Sequence, residues 1–150
     1  MPKLILDTNV LAVFVIGRVD PNLLGVAKRF KEYRPSDFEI LYTYLSLFNE
    51  IIILPNIISE VSNLIRYLKG ERRQACMEVL ASLALSGSER YIPSDSAARQ
   101  PEYITLGITD AAILCALGED TYLLTADREL QLAAICRSHE VQHFEDLRAE

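Results

Sequence analysis

Four carboxylates stand beside short apolar runs, at positions where a solvated charge does nothing for a fold. Asp7 ends Leu4-Ile5-Leu6, and Glu60 lies on a helix opening after Ile51-Ile52-Ile53-Leu54-Pro55. Asp110 begins the helix Ala111 to Leu117, and Asp127 follows Tyr122-Leu123-Leu124-Thr125. Neighbouring carboxylates repel one another, so a cluster of them persists mainly by holding a cation. Oxygen donors with no His or Cys beside them select a hard cation, Mg²⁺ or Mn²⁺, over zinc. Such an ion polarises a phosphoryl oxygen, acidifies a bound water and orients in-line attack on a phosphodiester. Asp7 and Asp110 are expected as principal ligands. Glu60 and Asp127 would complete the shell, partly through water, with one of them taking the nucleophile's proton.

The acids meet only if the apolar runs are parallel strands, because open α/β sheets place their crevice at the carboxyl ends of the strands. The spacing predicts strands at Leu4–Leu6, Ile51–Leu54, around Tyr122 and near Val141–Phe144. Helices are expected over Asn9–Gly17, ended by Gly17, and over Leu23–Phe30 after Asp20-Pro21. Ser36-Asp37-Phe38-Glu39 reads as a capping box opening a helix to about Phe48. Pro55 opens a helix to about Leu68 that Gly70 stops; further helices follow over Glu71–Leu85, from Asp110, and over Arg128–Arg137. Tyr91 to Tyr103 reads as mostly irregular. Strands alternating with helices imply a mainly parallel sheet with helices on both faces, and no domain boundary interrupts residues 1–150.

Each acid also has a plainer role open to it. Asp7 and Asp127 suit helix caps or turns. Asp110 suits a helix amino terminus, although Thr109 could cap that helix equally well. Glu60 sits at the border of the apolar stripe Ile57, Val61, Leu64, Ile65 and Leu68, an angle that suits either the surface or a cleft.

Half of the 150 residues are hydrophobic, enough for one domain with a real core, and the net charge of −6 argues against a general nucleic-acid coat. Cys76, Cys115 and Cys136 are widely spaced in apolar helical contexts and read as buried free thiols in a reducing cytoplasm. The apolar run Val10–Ile16 is too short to span a bilayer, so no membrane association is expected. Two basic clusters could line an acidic hollow: Lys28, Arg29, Lys31 and Arg34, and Arg66, Lys69, Arg72 and Arg73. The second begins on the Glu60 helix and is the candidate for holding the phosphates of a substrate, beside the alternative of a solvated helix end. His139 and His143 on one strand would stand roughly 13 Å apart, too far for one metal. The tyrosines are scattered, with no stacking platform evident.

With these residues in view, the chain resembles the PIN-domain family of metal-dependent ribonucleases. The matching pieces are Leu4-Ile5-Leu6-Asp7-Thr8-Asn9, Ser59-Glu60-Val61, Thr109-Asp110-Ala111-Ala112-Ile113 and Leu124-Thr125-Ala126-Asp127-Arg128-Glu129-Leu130. They span nearly the whole chain in the family's order. The resemblance implies a three-layer α/β/α sandwich, one or two Mg²⁺ or Mn²⁺ ions, and endonucleolytic cleavage of RNA. It makes Asp7, Glu60, Asp110 and Asp127 the acidic quartet and gives Asn9 and Thr125 the task of orienting carboxylates. It also implies a homodimer and, for the toxin members of the family, an antitoxin partner. The 53 residues from Asp7 to Glu60 (60 − 7) exceed the spacing of compact VapC-type toxins. The alternative is a PIN-like domain that binds RNA or a partner protein without catalysis. A haloacid-dehalogenase-like phosphatase would want a second Asp where Asn9 stands, and a receiver domain would want paired acids after the first strand. No Gly-rich loop for a dinucleotide follows that strand either.

Overall fold

The β-branched and leucine-rich runs that lack helical periodicity form the centre of the molecule. In a computed structural model, which describes residues 2–149, they make most of a sheet of five parallel strands, of which the short Ser88–Glu89 was not expected. These are β1 (Lys3–Leu6), β2 (Glu50–Ile53), β3 (Ser88–Glu89), β4 (Thr121–Thr125) and β5 (Val141–His143), in the order β3-β2-β1-β4-β5. β1 is central, with Leu4 opposite Ile51 on one side and Leu6 opposite Leu124 on the other. Leu4, Ile5, Leu123 and Leu124 have no exposed surface, as expected of a sheet covered on both faces.

Helices α1 (Thr8–Val19), α2 (Pro35–Leu45), α3 (Pro55–Ile65) and α4 (Gly70–Ser86) pack among themselves around α1. A second group comprises α5 (Ser94–Ala98), α6 (Tyr103–Leu106), α7 (Ile108–Ala116) and α8 (Arg128–Cys136), with α5, α6 and α8 all against α7. Right-handed crossovers put the helices leading toward β2 and β3 on one face and those leading toward β4 and β5 on the other. The result is the α/β/α sandwich expected. The direction of winding reverses between β1 and β4, so the crevice of the fold opens beyond their carboxyl ends.

Several local expectations are corrected. Gly17 does not end α1; it lies inside it, where a Cβ would come within 2.5 Å of Phe38 Cδ1, so glycine permits the close approach of α2. Pro21–Leu23 is one 3₁₀ turn, and no helix continues to Phe30. Leu24, Ala27, Phe30 and Tyr33 are buried at intervals of three by successive tight turns, helped by the left-handed backbone of Gly25 and Arg29, and this imitates a helical stripe. Ser36 is not the α2 cap. Pro35 occupies the first turn, and the Asp37 carboxylate accepts the Arg34 N–H at 2.8 Å. α2 and α3 end at Leu45 and Ile65, short of Phe48 and Leu68, in tighter turns. Gly70, at φ +63°, opens α4. Tyr91–Tyr103 contains α5 and the start of α6, and α9 (Phe144–Arg148) follows β5 where only a strand was expected. Cys76 is buried and Cys115 half-buried, but Cys136 is exposed at the end of α8. No helix among the described residues is long and apolar enough to cross a membrane.

Candidate active site

Beyond the ends of β1 and β4 lies a cavity of about 440 Å³ lined by Asp7, Glu60, Asp110 and Asp127, all four of the acids singled out in the sequence. Thr8, Asn9, Asn63, Gly107 and Thr109 supply most of its other polar wall, and no Lys, Arg or His lines it. Asp7 directly follows β1, Asp127 follows β4 after Ala126, and Glu60 sits on α3. Asp110 follows no strand: the loop that turns at Gly107 (φ +88°) starts α7 and carries Asp110 in on its first turn.

The plain and the chemical roles of these acids coexist. Asp7, 6% exposed, is the N-cap of α1, taking the Val10 N–H on Oδ1 at 3.3 Å. Its Oδ2 accepts the Thr125 hydroxyl and the Ala126 N–H at 3.4 Å. Burial pushes the carboxyl up to about 6; the Thr125, Val10 and Ala126 hydrogen bonds pull against that rise, and the charge of Asp127 adds to it. Asp127 caps α8 with Oδ1 alone, at 2.8 Å from Glu129 N and 3.3 Å from Leu130 N, so Oδ2 is left over. Thr125 ties the two together, because its Oγ1 also accepts the Asp127 N–H at 2.9 Å.

Asp110 differs from the others. It is half-buried, and its carboxylate accepts no hydrogen bond among the described residues. Burial first, then repulsion by Asp127, Asp7, Glu60 and Glu129, raises it to about 7. Burial and its neighbours' charge together oppose ionisation of a carboxylate that has no partner, an arrangement a cation would relieve. Glu60 is exposed, but its two oxygens are held from opposite sides. The Thr8 hydroxyl donates to Oε1 at 2.8 Å, and the Thr109 hydroxyl donates to Oε2.

The supporting residues are partly not those expected. Thr125 orients two carboxylates. Asn9 lines the cavity but bonds none of them; its neighbour Thr8 does that work. Thr109 is not a cap of α7 but sits inside the helix, buried, aiming its hydroxyl at Glu60. Both threonines adjoin a singled-out acid in sequence, and Asn63 is one helical turn beyond Glu60. A hydroxyl next to Asp7 and another next to Asp110 were the available signal.

All donors around the cavity are oxygens, which fits a hard cation. Among the described residues no three His, Cys, Asp or Glu side chains are gathered closely enough to hold a metal ion. Mg²⁺ binds through one or two carboxylates and keeps several waters, so it does not require an enclosing cage. Asp7 and Asp110 could ligate directly, with Glu60 and Asp127 reached through water.

Of the basic residues, Arg66 with Asn63 and Tyr67 lines a hollow of about 230 Å³ adjoining the acidic cavity. Arg72 is turned away to Asp20 at 3.7 Å. Lys69 and Arg73 are exposed and line neither hollow. His143 is buried at the end of β5, its Nδ1 accepting the Glu145 N–H at 3.1 Å, and His139 lies in the preceding turn. Neither borders the acidic cavity. The chain matches no family model and no curated protein.

Proposed function

We propose that the chain is a divalent-cation-dependent endoribonuclease hydrolysing RNA phosphodiester bonds. One observation carries the reading: four carboxylates from four separate segments line one cavity at the winding reversal of a parallel sheet, with no cationic side chain among them. RNA as the substrate is supported by the resemblance of the ordered fragments to PIN domains. A homodimer and an antitoxin partner are supported by that resemblance alone.

A bound Mg²⁺ or Mn²⁺ would supply phosphoryl polarisation and a water of lowered pKa. The chain's own contribution is positioning. Thr125 fixes the carboxylate plane of Asp7, and Thr8 with Thr109 fixes that of Glu60. Asp110 keeps both oxygens available. Asp127 Oδ2, which the α8 cap does not use, is free to accept the proton of an attacking water.

Cleavage of a mixed-sequence RNA in Mn²⁺ should fall by about a hundredfold or more in Asp110→Asn. Equal activity in the two proteins would assign the cleavage to another site or a contaminant. Binding without cleavage by the wild type would favour a catalytically silent domain.

A further inference from the structure

Three hollows run end to end along one face of α3. Glu60 and Thr109 are walls common to the acidic cavity and a second hollow of about 350 Å³, to which Asn56, Ser59 and Tyr91 contribute. Asn63 is common to the acidic cavity and the hollow that Arg66 and Tyr67 line. Asn56, Glu60, Asn63 and Tyr67 recur at helical spacing and form one stripe along α3 and the turn after it. At 1.5 Å per residue that stripe is roughly 17 Å long, with the carboxylates near its middle.

Its two ends differ in chemistry. At one, Tyr91 is 74% exposed, and its ring packs on no other ring among the described residues. Its backbone is held on both sides nonetheless. Arg90 N donates to Ile53 O at 2.8 Å, the Arg90 guanidinium reaches Ala116 O at 2.5 Å, and Ile92 packs on the core. The ring is therefore an open face on a fixed base. At the other end Tyr67 gathers cations. The Arg29 guanidinium carbon lies 4.5 Å and Lys28 Nζ 5.2 Å from its ring centroid, and Arg29 donates to its hydroxyl at 3.0 Å. Lys28 and Arg29, read as a separate cluster in the sequence, thus meet the Arg66 end of α3. None of Lys28, Arg29 and Arg66 is ion-paired among the described residues.

We propose that the stripe is the track of an unpaired nucleic-acid strand. Tyr91 stacks a base on one side of the acidic cavity, and Lys28, Arg29 and Arg66, assembled on Tyr67, hold phosphates on the other. An aromatic face combined with a cationic rail is how single strands are held, and only an unpaired base can reach Tyr91. A net charge of −6 offers no general attraction, so the phosphates need a local anchor beside the acids that repel them. The inference rests on reading the acidic cavity as a nucleic-acid site.

The test is fluorescence anisotropy of a fluorescein-labelled oligouridine RNA with the full chain in EDTA, across a salt series. Tyr91→Ala should weaken binding about tenfold at an unchanged salt slope, while Tyr91→Phe binds like the wild type. Lys28→Ala/Arg29→Ala should lower the salt slope by roughly 1.4, at about 0.7 per phosphate contact on a single strand. A duplex of equal length should compete poorly. The track is overturned if the wild type does not bind, if both sets of variants bind as it does, or if the duplex competes equally. RNA cleavage with binding unmoved by these variants would remove the track and leave the nuclease. Tyr91-dependent binding without cleavage would do the reverse.

Discussion

Asp37 and Asp7 are both taken out of water, at 1% and 6% exposure, and the fold provides for them in opposite ways. Asp37 receives Arg148 on both oxygens, Nε at 2.8 Å and Nη2 at 2.5 Å, and the guanidinium is roofed by the rings of Tyr33 and Phe144. Asp7 receives hydroxyl and backbone donors but no cation, and Asp110 beside it receives neither. One carboxylate is closed with a permanent counter-charge that pins α9 to α2. The others are grouped so that each worsens the next. Where burial serves architecture the chain supplies its own arginine; in the cavity it supplies none, and the proposed cation would meet that charge.

The largest effect should come from breaking the closed pair. Arg148→Met strands the Asp37 carboxylate in the core, a change that costs roughly 3–5 kcal/mol. For a chain of this size the melting temperature should drop by about 10 °C. Adding Asp37→Leu should recover most of the loss, since a buried pair replaced by apolar groups is close to neutral. If Arg148→Met melts like the wild type, the pair is surface decoration and the contrast with the cavity disappears.

The same kind of edit in the cavity should have the opposite sign. Asp110→Asn removes a charge that makes no hydrogen bond. In EDTA at pH 7 it should raise the melting temperature by about 3–6 °C, equivalent to about 1–2 kcal/mol. Asp110 titrates at about 7 in the folded state against 3.8 as its ordinary value. Between those values the folded chain keeps a proton that the unfolded chain has lost, so stability falls as pH rises through the window. The advantage of Asp110→Asn should therefore vanish near pH 4 and be complete above pH 7. Asp7→Asn should gain less, because its oxygens accept the Val10 and Ala126 N–H groups and an amide cannot replace both acceptors. Mn²⁺ should raise the melting temperature of the wild type and of neither variant. A destabilised Asp110→Asn at pH 7 would mean that the acids do not repel.

The sheet was legible because buried parallel strands leave runs such as Leu4-Ile5-Leu6 that no helical pattern explains. The convergence of Asp7, Glu60 and Asp127 followed from where those runs end. Asp110 was the exception, found at the start of the helix Ala111 to Leu117 and placed by a glycine turn whose path is not encoded in periodicity. Tight turns misled where they bury every third residue, as from Leu24 to Tyr33, and glycine misled where close packing rather than helix termination required it, at Gly17. Long-range partners were not legible. Nothing local says that Thr109 meets Glu60, 49 residues away, or that Arg148 meets Asp37 across 111.

The smallest effect expected is the most specific to the open site. Thr109→Val keeps the shape of a buried side chain and deletes only the hydroxyl that holds Glu60 Oε2. Glu60 is exposed and can turn to water, so stability in EDTA should change by less than about 1 kcal/mol. Cation affinity should fall about tenfold, the low end of what outer-shell partners contribute. The melting shift produced by a fixed excess of Mn²⁺ should then shrink by a few degrees. Thr8→Val should act in the same direction through the other oxygen. If both variants respond to Mn²⁺ like the wild type, Glu60 lies outside the cation's reach, and the open site reduces to the three aspartates on the β1, β4 and α7 side.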